Sequence, residues 1–229
     1  MQDVRAAFQS VTGLGSERGV TDLASLKLAF CVPSRCGVEQ ASAVLMAVKA
    51  LRELGCTVTE RPAPDVLGAK AAAIVRTILT ASLAEWLGSL GIADEEVSPL
   101  SAAIAAEGRR MPAATLFAAS RDLAAQAHHF ASYMDGIDVL ISPVLAGSPP
   151  KRGAFDMTAR NPAAHFAQME AVAPNAALAN VTGVPALALP VGHDTAGVPL
   201  GVQLTARLGQ DRLLLDLGEQ LAAQGDDAA

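Results

Sequence analysis

No block of lysine or arginine interrupts this 229-residue sequence: 17 basic residues are dispersed among 23 acidic ones, and the net charge is −6. A nucleic-acid partner needs a basic face to neutralise phosphates, so none is expected, and an anionic membrane surface is not expected on the same ground. Cysteine pairs are scarce too. Cys31, Cys36 and Cys56 make an odd number in a long chain, which predicts reduced thiols and, with them, a cytoplasmic location. A membrane span needs about 20 consecutive apolar residues. The richest stretch, 71–90, is broken by Arg76 and Glu85, so no span is expected. Asp3 and Arg5 stand where a secretory signal would begin its apolar core, and no such core follows. Metal-ligand spacings are missing as well. Cys31 and Cys36 do not form a Cys-x-x-Cys pair, and His128 and His129, adjacent on a predicted helix, point too far apart to grip one ion. Neither a metal nor a cofactor is expected.

What the sequence does hold is apolar surface. At 51% hydrophobic it can bury a substantial core as one domain or one large lobe. Residues 1–25 are Gly/Ser-rich, with Gly13, Gly15 and Gly19 interrupting any helix begun near Val4, and are read as a loose lead-in to a lobe over 26–229. Residues 26–32, closed by Pro33, form a short apolar run suited to a buried strand. Ala41, Val44, Leu45, Val48, Leu51 and Leu54 then share one helical face, Gly55 stands at the cap position, and Cys56 and Val58 alternate with threonines. Together these predict one parallel βαβ unit.

Residues 68–135 are rich in alanine, and breaks at Gly91, Pro99 and Pro112 predict three helices, with Arg109 and Arg110 at a helix end where cations suit the dipole. Residues 139–142 are another strand, followed over 146–162 by an irregular proline loop of the kind that borders sites. Residues 186–191 and 200–205 are predicted strands of a hairpin turned by His193-Asp194-Thr195-Ala196-Gly197. A last helix buries Leu213, Leu214, Leu217 and Leu221, with Asp211 in its first turn. The fold class is α/β: a mixed sheet with a βαβ unit, a C-terminal hairpin and helices on both faces.

The segment Asn180-Val181-Thr182-Gly183-Val184-Pro185-Ala186, the return Gly197-Val198-Pro199-Leu200-Gly201-Val202-Gln203 and the Leu-rich terminal helix closely resemble, in that order, the end of amidase-signature enzymes. Asp138-Val139-Leu140-Ile141-Ser142-Pro143 with Ala146, Pro149 and Pro150 resembles the family's strand and proline loop, and residues 26–62 resemble the βαβ unit after its catalytic region. Within the family the wording is most similar to bacterial 6-aminohexanoate-cyclic-dimer hydrolases. Physical chemistry explains the first motif independently. Gly183 takes positive φ freely, Val184 is held extended by the proline after it, and Pro185 opens a strand without wasting an N–H. The turn should lead into a strand central to the sheet. Asn180 and Thr182 suit bonds to the local backbone; with Gly183 and Pro185 they are the pocket-wall candidates.

The resemblance implies hydrolysis of amides by a serine, a second serine in a cis peptide and a lysine. An amide carbon needs an activated hydroxyl, a base and backbone donors for the oxyanion. Nothing here resembles the Gly/Ser-rich loop that supplies them, and Lys27, Lys49, Lys70 and Lys151 all fall after the position of the family's lysine. No catalytic residue is assigned. His165 and His193 likewise stand in no recognisable triad. The family's amidotransferases carry an Asp shortly before the Asn-x-x-Gly-x-Pro turn to fix glutamine. Here none lies between Met169 and Asn180, which disfavours glutamine, with Glu170 the nearest substitute. The expected partner is thus a small-molecule amide, with a complementary N-terminal half or a second copy to cover unpaired edges. A truncated lobe, inactive alone, is the first reading; a binding or regulatory protein, or a decayed gene product, is the alternative.

Overall fold

The computed structural model describes residues 1–13 and 22–226 and divides into two compact units. The first unit, Met1–Pro64, Ala131–Gly147 and Gly183–Ala229, contains a five-stranded sheet of β1 (Lys27–Phe30), β2 (Thr57–Glu60), β3 (Val139–Pro143), β4 (Ala186–His193) and β5 (Pro199–Ala206), in the order β2-β1-β3-β5-β4. Strands β1 and β2 pair in parallel through α2 (Val38–Glu53), the predicted βαβ unit. β3 joins β1 in parallel, and β5 joins β3 antiparallel. Helices α2 and α8 (Asp211–Asp226) pack on the sheet and on each other. Their shared core holds Leu28, Val139, Val202, Leu204, Leu51 and Leu217, each almost fully excluded from solvent. Burying one such side chain stabilises the fold by about 1.5–3 kcal/mol. Ala29 and Leu140, on the opposite pleat, are buried as well, so the central strands are covered on both faces.

Two expectations are corrected here. β4 (Ala186–His193) pairs only with β5 and is an edge strand among the described residues, not a central one. Pro190 accounts for this: a residue without an N–H is tolerated at an edge or a bulge, and the register shifts between Pro190 and His193. Residues 1–13, read as part of a loose lead-in, hold α1 (Gln2–Thr12), capped by Gly13 at φ 67. The helix persists because Arg5 anchors it. Its Nη2 lies 2.6 Å from Asp216 Oδ1 and its Nε 2.7 Å from Glu219 Oε1, both on α8. Gly15 and Gly19 lie outside the described residues.

The second unit, Asp65–Phe130 and Ser148–Thr182, is helical. It holds α3 (Asp65–Leu90), α4 (Pro99–Arg109) and most of α5 (Ala113–Tyr133), the three helices expected from the breaks at Gly91, Pro99 and Pro112. By length and composition α3 is long and apolar enough to cross a membrane, with a mean hydropathy of 1.5, although Arg76 and Glu85 interrupt it, as the sequence itself shows. It packs on α4 at close range. A Cβ built on Gly108 of α4 would lie 2.2 Å from the Thr80 carbonyl oxygen of α3, so only glycine fits that crossing. Ser98 caps α4, and Arg109 in its last turn lies 2.6 Å from both carboxylate oxygens of Asp94. Two further helices, α6 (Pro162–Val172) and α7 (Ala176–Thr182), follow the proline loop in a region for which the sequence pattern predicts no helix.

Candidate functional site

Helices α3, α6 and α7 line an open cavity of about 420 Å³. Its walls are mostly small or apolar, with Leu79, Phe166 and Met169 as the larger side chains and Arg76, Glu170 and Asn180 as the polar ones. The shape follows from composition. Alanines recur along the facing sides of the three helices, and a helix contact made through methyl groups leaves space unless larger side chains fill it. Asn161 caps α6 by accepting from Ala164 N at 3.1 Å, and Pro162 occupies the first turn, where its missing N–H is harmless.

The polar groups are held in place. The Arg76 guanidinium lies 5.7 Å over the Phe166 ring, and its Nη2 stands 3.7 Å from Glu107 Oε2. Asn180 Nδ2 donates to Ala176 O at 3.0 Å, which leaves Oδ1 as the acceptor for the cavity. Asn175, between the wall residues Pro174 and Ala176 in sequence, is buried with its amide nitrogen unpartnered. A buried donor left unpaired costs about 1–3 kcal/mol.

Of the four pocket candidates read from sequence, one lines this cavity: Asn180. Thr182 turns back on its own helix, its Oγ1 donating to Leu178 O at 2.7 Å, and is buried. Asn180 and Thr182 therefore make the local backbone bonds expected of them, but in the last turn of α7 and not in a loop. The cause is the alanine run before them, which favours helix, with Gly183 at φ 69 terminating it in left-handed geometry. Pro185 belongs to the first unit, where its carbonyl accepts from Ala206 N at 3.1 Å and sets the start of β4. Glu170, the suggested substitute for the glutamine-fixing Asp, does line the cavity. Arg76 and Phe166 were not singled out from sequence; their partnership spans two helices far apart in the chain, and no local signal reports it.

Other candidate groups lie elsewhere. His128 and His129 are exposed on α5, and His165 packs edge-on against Phe155 and Phe166. Among the described residues no group of three or more His, Cys, Asp or Glu is placed to hold a metal ion. Burial pushes the Cys36 and Cys56 thiols up from their ordinary range, which weakens them as nucleophiles. Among the described residues no serine, threonine, cysteine, lysine or histidine lines the cavity, so these walls offer no nucleophile or base from those residue types.

A family model for amidases matches residues 16–215. The chain belongs to the amidase family. This amidase-family chain is 34% identical over 92 residues to the 6-aminohexanoate-cyclic-dimer hydrolase of Paenarthrobacter ureafaciens, covering 38% of this chain and 18% of that protein. It is 33% identical over 97 residues to a component of the glutamyl-tRNA(Gln) amidotransferase of a Synechococcus species, covering 42% and 18%. The solved structure of 6-aminohexanoate cyclic dimer hydrolase complexed with substrate superposes with a TM-score of 0.76 and 25% identity, over 88% of this chain and 45% of that one. The amidase-family chain thus spans less than half the length of that structure and matches about a fifth of the length of each curated relative.

Proposed function

We propose that this chain is the substrate-side lobe of a hydrolase acting on carbon–nitrogen amide bonds, and that the cavity between α3, α6 and α7 receives a small or linear uncharged amide. One observation carries the reading: Asn180 of the family's Asn-x-x-Gly-x-Pro motif lines a cavity whose other walls are largely apolar. Leu79, Phe166 and Met169 suit a hydrocarbon chain, and Asn180 Oδ1 suits the amide N–H₂. The missing Asp between Met169 and Asn180 argues against glutamine.

Attack on the carbonyl is assigned to a complementary half. A serine, its base and oxyanion donors act as a unit, and loss of such a unit removes orders of magnitude in rate even where binding survives. The test is ammonia release from acetamide and hexanamide, and appearance of a free primary amine on ring opening of a cyclic amide dimer. The lone chain should stay at background, and addition of the N-terminal half of the Paenarthrobacter hydrolase should give turnover whose KM rises on Ala167→Trp, which fills the cavity. Robust release by the lone chain, abolished by a single serine substitution, would overturn the assignment.

A further inference from the structure

On another side of α3 lies a second groove, about 460 Å³, formed with α5 alone. The two helices meet where Gln126 Nε2 donates to Leu67 O at 2.8 Å. Gln126 is only 3% exposed and lines the groove; one N–H of Nε2 goes to Leu67, and Oε1 is the acceptor it offers a ligand. Residues 115–122 of α5 share the groove with residues 73–77 of α3, so the helices run in opposite directions. Counting from the Leu67–Gln126 contact, Lys70 on α3 and Asp122 on α5 fall at the same level on opposite walls. Beyond them the walls are mainly alanine, and Thr77 and Thr115 close the far end.

We propose that this groove binds an α-amino acid with a small side chain. An ammonium donor and a carboxylate acceptor on one carbon match an acidic wall and a basic wall at one level. The Lys70 ammonium takes the carboxylate, Asp122 and Gln126 Oε1 take the ammonium, and the alanine-lined stretch takes the side chain. Asp122 also stands 3.5 Å from Arg121 on the outer surface, a solvated pair that a bound ammonium would displace or share. The site is separate from the amide cavity and holds whether or not the chain takes part in hydrolysis.

The experiment is calorimetric titration of the intact chain with L-alanine, propanoate and ethylamine. L-alanine should bind saturably at one site, and each half-ligand roughly tenfold or more weaker, since a lost charged hydrogen bond is worth about that factor. Lys70→Met and Asp122→Asn, shown folded by circular dichroism, should each weaken L-alanine by a similar factor, and Ala118→Trp should abolish binding. Ala167→Trp, in the other cavity, should leave it unchanged. Absence of saturable binding, equal binding by the half-ligands, unaltered binding by both charge variants, or loss of binding on Ala167→Trp would each overturn the site.

Discussion

In the sheet unit, leucines and valines of β3, β5 and α8 interlock until Val139, Val202, Leu204 and Leu217 have no exposed surface, whereas in the helical unit α3 meets α5, α6 and α7 through alanines and leaves two grooves. Both units draw on the same apolar residue types. Side-chain size decides which becomes a core and which becomes a container: close packing needs volume at the contact, and a methyl group supplies little. The two larger grooves therefore lie in the helical unit, while the sheet unit has a smaller one of about 280 Å³ beside β4 and β5.

The largest expected effect tests the sheet unit at its ionic clamp. Arg5→Ala removes the cation beside Asp216, which is buried, and breaking a buried pair in this way costs about 3–5 kcal/mol. Chemical denaturation should show a lowered midpoint, and an unchanged midpoint would mean that α1 contributes nothing to the unit. Leu217→Ala opens a cavity in the core and should cost about 2–5 kcal/mol by the same measurement. The difference between the units is sharpened by a pair of identical changes. Ala43→Leu, on α2 against the sheet with no exposed surface, should cost about 1–3 kcal/mol by overpacking. Ala167→Leu, exposed at the cavity of α3, α6 and α7, should stay within about 0.5 kcal/mol. Equal costs at the two positions would erase the distinction between core and container.

The smallest effect concerns pH. Burial raises the Cys56 thiol, so the folded chain keeps its proton where the unfolded chain has lost it. This contribution to stability is complete below the ordinary thiol range and declines as pH rises through it. Urea midpoints should fall from pH 8 to pH 10, and the fall should shrink in Cys56→Ala.

Local signals carried the sheet unit. The apolar run at Leu28–Phe30, the alternation around Val58, Gly55 after α2 and the Asp194-to-Gly197 turn each sit within a few residues of what they specify, and the structure has them where the pattern puts them. Gly91 and Pro99 delimited α3 and α4 in the same way. Three features were out of reach for one reason: they depend on residues distant in sequence. Arg5 stabilises α1 through partners 211 and 214 positions away, so its glycine-rich surroundings pointed the other way. The place of β4 at an edge is a matter of strand order, though Pro190 was a readable warning. α6 and α7 carry alanine around their circumference and lack an apolar stripe, leaving only Asn161 and Pro162 to announce them. Asn180 could be singled out because its motif is local; Arg76 could not, because Phe166 defines its role.

Pro190 has a bearing on how this chain behaves at high concentration. An open strand edge invites another chain to extend the ladder, and repetition of that step gives fibres. On β4 an incoming strand would meet a missing donor at Pro190 and, just beyond, a shift of register before His193. Any added ladder would be confined to the first few residues from Ala186, too short to propagate. A proline at this rim acts as a gatekeeper, letting the sheet end without becoming a template for its own growth.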